Sequence, residues 1–430
     1  MMTVNELKEL IENNKDISAY EIRNTVNESY QFFYVMEELE TNRCVNAEET
    51  VAVVYTDSEG QRGSSSVVIT SADDRDTVTE KLKAAVRKAG QAANPYYPLA
   101  EKTENIHTVS DSTCDLSLIA RNTADAVFAA QAGSDAQLNA TEIFADHNTI
   151  RFLNSSGIDH SYDTYSVFCE TIPSYDGEKE DVELYFSRYA DITDPAEFTE
   201  TVGTALSNVR YRYEALKLED VTVPENCLVA VQGDMLRNIM TNFAQELSYS
   251  RQYYKMSHSK LSDQISAVPF DMILKGQEEG ICGSSPVDPN GIVLKDTKVI
   301  DQGRASAFWG DQRFGYYLKE EHITGSYPVV CVQNYPVISE EDLKRPVLYL
   351  MNFSAPQLES SSGYFGGEVR LGLLVEGDKV TPVTGFSVSG NIYEAVNTAR
   401  FSEETASVSA KGRMSFKGPK YMYFDQLKLH

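Results

Sequence analysis

The chain holds six histidines (His107, His147, His160, His258, His322 and His430) and six cysteines (Cys44, Cys114, Cys169, Cys227, Cys282 and Cys331). Imidazole and thiolate are the side chains that most often hold zinc or act as nucleophile and base. Spacing decides whether they can converge, and here it supports little. No two histidines lie three to five residues apart, so the paired ligands of a helical H-E-x-x-H motif are missing. No C-x-x-C pair occurs, which removes zinc-ribbon and thioredoxin-like redox chemistry. His258 sits among hydroxyls in YYKMSHSKLSDQ, near Asp263. A serine–histidine–aspartate arrangement would need Ser257 or Ser259 as nucleophile. Sequence neighbours rarely achieve that geometry, and no G-x-S-x-G elbow is present. No G-x-x-x-x-G-K-[ST] loop offers a phosphate cradle. What remains is a cluster of Tyr249, Tyr253 and Tyr254, among 25 tyrosines in all. With His258, Tyr253 and Tyr254 form a candidate groove for an extended peptide. Tyrosine on a half-buried sheet is the ordinary alternative.

Composition bounds the partners. With 38 basic and 64 acidic residues the net charge is −26, which repels a phosphate backbone and argues against direct nucleic-acid binding. No run approaches the roughly 20 apolar residues of a membrane span. The amphipathic, acidic start MMTVNELKELIENN has no signal-peptide core. Scattered single cysteines suit a reducing compartment. The expectation is a cytoplasmic protein of two domains, or one large one.

The elements that would position any site come next. Thr3 and Glu6 have capping-box spacing before Leu7, Leu10 and Ile11, predicting a short first helix. Between Ser18 and Thr70 the segments AYEIRNTV, SYQFFYVMEE, EETVAVVYTD and SSSVVITS alternate apolar and polar residues, as in an antiparallel sheet with one wet face. A helix is predicted over 76–93, with Val78, Leu82, Ala85 and Val86 inward, then a long connection over 94–115. A further helix spans 116–132, stopped by Gly133. Strands follow at 140–144, 149–154, 161–172 and 181–189, with turns at 146–148 and 156–157. A helix over 194–216 turns Phe198, Val202, Ala205, Leu206 and Val209 to one side. Strand meander then helix, twice, suggests two copies of one unit.

Residues 217–225 read as a junction. Beyond it, the apolar strand Cys227–Val231 leads into Gly233–Ser250, GDMLRNIMTNFAQELSYS. There Asp234 is the expected N-cap and Met235, Ile239, Met240, Phe243 and Leu247 form one buried stripe. An irregular region up to Gly291 precedes further strands, with a Gly-Asp hairpin turn at 376–379. The glycines of Gly363–Gly367 suit a strand bend or bulge. The fold class expected is α+β. Residues 1–217 form an N-terminal domain of antiparallel meanders with helices, and 218–430 a β-rich C-terminal domain around a central helix.

The order of landmarks resembles a known family. SSPVDPNGIVLKDTKVIDQGRASAFWGDQRFGYYL (Ser284–Leu318), the glycine-flanked strand and hairpin within Tyr349–Val396, and Pro382-Val383, Gly390-Asn391 and SKLSDQIS (Ser259–Ser266) are together similar to the TldD/PmbA (TldE) family. The family has long been labelled modulators of DNA gyrase. The resemblance covers nearly the whole chain. It implies one of two roles. TldD-like members are metallopeptidases whose central helix carries H-E-x-x-x-H, with a cysteine near the C-terminus as a further ligand. TldE/PmbA-like members lack these and pair with a TldD-like subunit, and such pairs trim peptides.

Placed on the pair Gly233-Asp234, the histidine, glutamate and second histidine of the motif fall at Met240, Thr241 and Gln245. No cysteine lies beyond Cys331. A thioether, a hydroxyl and an amide supply neither the ligand set nor a water-activating carboxylate. The resemblance therefore implies a TldE/PmbA-like subunit with no catalytic residue and no metal. Its expected partners are a TldD-like metallopeptidase subunit, or a second copy in a dimer, and a peptide substrate. Two alternatives stand beside it: an active peptidase with zinc in a divergent site, and a stand-alone peptide-binding protein. A gyrase-directed role would have to act through protein contacts, given the acidity.

Overall fold

A computed structural model of the chain describes residues 2–92, 94–110, 114–191, 195–425 and 427–430. Ala93 and Asp194, expected at the ends of two helices, and part of the connection expected over 94–115 lie outside them. The mixed α+β architecture is as the sequence indicates, with three sheets among the described residues.

The first sheet is built on two long hairpins. Ala19–Val35 pairs antiparallel with Glu38–Ser58, and Gln137–Asn154 with Asp159–Asp176. The two hairpins join through Ala19–Val35 and Gln137–Asn154. Several expected turns are absent. AYEIRNTV and SYQFFYV are one strand, and 146–148 continue straight through, with His147 opposite Glu28. The turn at 156–157 is present, with Gly157 at φ +93°. A strand is held by its neighbours as well as by its own sequence, so polar residues on its accessible face do not end it.

Each hairpin is flanked by helices: Val4–Glu12 and Arg75–Ala89 for the first, Leu116–Gln131 and Ala196–Glu214 for the second. The order helix, hairpin, shorter strands, helix thus recurs. Thr3 and Glu6 form the expected capping box. Leu7, Ile11, Val78, Leu82 and Ala85 pack on Ile22, Ala52 and Val54. Phe198, Val202, Leu206 and Val209 pack on Ile143, Ala145 and Val167. By the two-residue period of a strand these positions share one sheet face.

The opposite face is drier than an antiparallel meander predicts. Tyr55 meets Leu99, Phe152 and Ile158 meet Ala100 and Ile292, and Ile150 and Tyr162 meet Val287. Chain from the C-terminal half therefore covers part of it. Gly291, at φ +84°, lies so close that a Cβ there would stand 2.4 Å from the Phe152 ring.

His160 fastens the same seam. Its Nδ1 accepts from the Ile106 N–H at 3.0 Å, and Nε2–H donates to the Gly291 carbonyl at 2.9 Å. Both bonds suit one neutral tautomer. Burial lowers the pKa of this fully buried ring, against the Gly291 bond. The unfolded chain then binds the proton more readily than the folded one. The stabilisation is present above about pH 6.5 and is lost as pH falls through the folded pKa, at up to about 1.4 kcal/mol per pH unit. Asp288, pushed up to about 6 by burial, titrates in the opposite sense. A comparison with His160→Gln cancels it. The wild type is expected to lose more stability than the variant between pH 7.5 and 5.5 in denaturant titrations. Equal losses would remove His160 as the source.

Residues beyond 215 form a ten-stranded and a six-stranded sheet. Leu216–Lys217 already pairs in parallel with Val383–Thr384 of the larger one. Leu228–Gln232 lies inside that sheet, between Val347–Phe353 and Tyr421–Phe424. The region before Gly291, irregular in the sequence reading, contains the strand Asp271–Lys275, paired on both sides in the smaller sheet. Of ASAFWGD (305–311), whose sequence reads as a strand, only Ala305 lies in one, the short Arg304–Ala305. Gly377-Asp378 makes the expected two-residue turn, with Gly377 at φ +61°. Gly366 is needed for close approach: a Cβ there would lie 2.3 Å from the Val388 carbonyl oxygen.

Candidate functional site

The strand Leu228–Gln232 passes through Gly233, at φ +56°, directly into the central helix Gly233–Glu246. The N-cap is Gln232, with no side-chain cap bond. Asp234, expected as the cap, is exposed in the first turn and pairs with Arg237 at 3.0 Å. The left-handed turn at Gly233 moves the helix start two residues earlier than the Asp234 signal indicates. Met235, Ile239, Met240, Phe243 and Leu247 are buried as predicted, in a core cluster drawn from both C-terminal sheets. Burying side chains of this size stabilises by roughly 1.5–3 kcal/mol each. The Trp309 indole N–H donates to the Ala244 carbonyl at 2.7 Å and fixes the helix from another side.

Beyond Glu246 the chain does not continue the helix to Ser250. It turns at Leu247–Ser248 and forms a short helix, Tyr249–Tyr253. Glu246 organises this corner. Its carboxylate is 1% exposed and is ion-paired to Arg251. It accepts from the His258 backbone N–H at 2.9 Å and from the Tyr393 hydroxyl at 3.2 Å. Arg251 in turn donates to the Ser360 hydroxyl at 2.8 Å, which is also bonded to Asn242.

A cleft of about 840 Å³ opens along the other side of the helix. The helix contributes Arg237, Asn238, Thr241, Asn242 and Gln245. The first sheet contributes Arg23, Ile150, Tyr162 and Thr164, from its second face. Ser284, Ser285, Trp309, Tyr327 and Ser360 line other parts, and the turn Ala410–Met414 closes one edge.

Of the three positions that the family resemblance sets against the metal motif, Thr241 and Gln245 line this cleft. Met240 is 0% exposed and points into the core. Sliding the motif by one residue brings in Thr241, Asn242 and Glu246, and Glu246 is engaged by Arg251. No His, Cys, Asp or Glu is among the described residues that line the cleft. No group of three such residues close enough to hold a metal occurs among the described residues. Hydroxyls and amides beside guanidinium groups do not fit a zinc ion.

The tyrosines and His258 lie elsewhere. Tyr253 and Tyr254 pack on Phe314, Tyr253 also on Tyr317, and neither lines the cleft. His258 turns its Nε2 to the Ser361 carbonyl at 3.0 Å, and its ring meets Tyr393 at a steep angle, centroids 5.6 Å apart. Tyr249 is buried against Gly310 and Gly315. The sequence reading missed Arg23, Arg237 and the basic turn Lys411-Gly412-Arg413. A glycine between two cations at a strand junction, in so acidic a chain, was the available signal.

Residues 224–429 match the family described as the PmbA/TldA metallopeptidase C-terminal domain. The C-terminal half of this chain belongs to the PmbA/TldD family. No curated protein matches the chain. Among solved structures, TldE from Thermococcus kodakarensis has a TM-score of 0.78 at 14% identity, over 98% of this chain and 99% of that one. A Thermotoga maritima protein carrying the gyrase-modulator label has a TM-score of 0.76 at 13% identity, over the whole of both chains. A Bacteroides thetaiotaomicron protein with the same label has 0.76 at 14%, over 100% of this chain and 99% of that one. At such identities the likeness is one of fold, and it extends through the N-terminal half. No helix among the described residues is long and apolar enough to cross a membrane.

Proposed function

We propose that this PmbA/TldD-family chain is a metal-free, TldE/PmbA-like subunit. It pairs with a TldD-like metallopeptidase chain carrying H-E-x-x-x-H and contributes a peptide-binding cleft to the pair. The observation that carries this reading is the cleft face of the central helix. Arg237, Asn238, Thr241, Asn242 and Gln245 offer hydrogen bonds for a peptide but no zinc ligand and no general base. Peptide bond hydrolysis needs an activated water and a stabilised oxyanion, and the partner is the source of the first.

The reading takes the N-terminal half as residues 1–217 and the site-bearing half as 218–430, in the cytoplasm. It is tested by mixing the purified chain with a TldD-like chain carrying H-E-x-x-x-H and measuring mass by light scattering after size exclusion. Expected is a stable complex of the two chains that cleaves an unstructured peptide, with no cleavage by this chain alone. Self-association only, with no capture of the TldD-like chain, would instead favour a stand-alone peptide-binding protein.

A further inference from the structure

Charge at the cleft runs against the rest of the molecule. In a chain of net charge −26, the cleft is lined by four cations, Arg23, Arg237, Lys411 and Arg413. None of the described residues lining it is acidic. A concave, partly dry wall concentrates such a field, which bulk salt screens over about 8 Å.

Two arginines stand out. Arg237 is 4% exposed. Its Nη2 meets Asp234 at 3.0 Å and the Asn238 amide oxygen at 3.2 Å, while its buried Nε has no acceptor among the described residues. A buried donor without a partner is destabilising until something accepts from it. Burial lowers the Arg237 pKa, Asp234 opposes this, and the charge of Arg413 lowers it further. The two guanidinium groups therefore repel each other across the site. Arg413 lies on an exposed turn between the strands Thr405–Val408 and Ser415–Pro419, with Gly412 at φ +71°. It has no ion-pair partner among the described residues. An anion between them would relieve the repulsion. A guanidinium fork matches the two oxygens of a carboxylate.

We propose that the cleft is a receptor for peptide carboxylates, gripped by Arg237 and Arg413, with Asn238, Thr241 and Gln245 bonding the peptide backbone. This rests on the peptide-binding reading above. The carboxylate can be a Glu or Asp side chain or the peptide C-terminus.

The probe is a labelled, unstructured octapeptide, titrated against the full chain, alone and with its TldD-like partner, by fluorescence anisotropy. Four forms separate the sources: with Glu or with Gln, and with a free or an amidated C-terminus. The form richest in carboxylate is expected to bind at least about tenfold tighter than the amidated Gln form in 0.15 M salt, less so in 1 M salt. Loss on amidation alone assigns the C-terminus, and loss on Glu to Gln alone assigns the side chain. Arg413→Glu, on an exposed turn where folding is not at stake, is expected to abolish the preference. Arg237→Gln should do the same, with its fold checked by circular dichroism. Equal affinity for all four forms, an unchanged preference in Arg413→Glu, or displacement by equimolar inorganic phosphate overturns the carboxylate receptor and leaves the peptide cleft standing. Failure to bind any of the peptides, alone or in the complex, overturns both.

Discussion

Met240→His is expected to destabilise the chain by about 2–4 kcal/mol and to create no zinc site. The family resemblance puts Met240 at the motif's first histidine, yet its side chain is fully buried in the cluster with Phe243, Leu247, Met272 and Val330. An imidazole there replaces apolar contacts and leaves at least one ring nitrogen unpaired, which costs about 1–3 kcal/mol on top of the lost packing. Thr241→Glu and Gln245→His face the cleft, and each should cost within about 1 kcal/mol. The triple variant restores the letters of H-E-x-x-x-H without the geometry. Positions 240 and 245 project about 140° apart on a regular helix, one into the core and the other into the cleft. Denaturant midpoints for the four variants, with zinc titration of the triple variant, check this. A triple variant that folds with wild-type stability and binds one zinc per chain would contradict the placement of Met240.

Glu246→Ala is expected to cost about 3–5 kcal/mol, the usual loss when one member of a buried ion pair is removed. The cost arises because Arg251 loses its counter-ion and the Tyr393 hydroxyl and His258 backbone N–H each lose an acceptor. Glu246→Gln keeps an acceptor and should cost roughly half as much or less. The loss should reach the cleft as well. Ser360 lines it and is held by Arg251 and Asn242. Peptide affinity is therefore expected to fall in Glu246→Ala even under conditions where the variant is folded. Comparable midpoints for the Ala variant and the wild type would show that the pair does not hold this corner together.

The sequence made the local rules of this fold legible and left the assembly hidden. The capping box at Thr3, the stop at Gly133, the turn at Gly377 and the inward faces of the helices follow from short-range chemistry, and each is where the pattern places it. Asn27-Glu28 and Asp146-His147-Asn148 looked like breaks because they are polar. They are opposite one another in paired strands, and that pairing spans more than a hundred residues. The strand Asp271–Lys275 was missed for the same reason, since its partners lie on both sides at a distance in sequence.

The site shows the same division. Thr241 and Gln245 were reached through the family motif and do line the cleft. Tyr253 and Tyr254 were chosen for clustering in sequence, which on a short helix directed them at Phe314 instead. Arg23, Arg237 and Arg413 come from three distant parts of the chain, and only folding brings their charges onto one wall. Glu246 carried no signal in the sequence beyond being an acid in an apolar stretch. Its position at the helix end, where the chain turns back, makes it the centre of a network.

The central claim, a metallopeptidase fold without its metal chemistry, is tested most directly by the metal content of the purified chain. The measurement is made by elemental analysis after equilibration with micromolar zinc and gel filtration, with cleavage of an unstructured peptide followed with and without chelator. The account predicts well under one zinc per ten chains and no chelator-sensitive cleavage by the chain alone. One zinc per chain, with cleavage that a chelator abolishes, would contradict it.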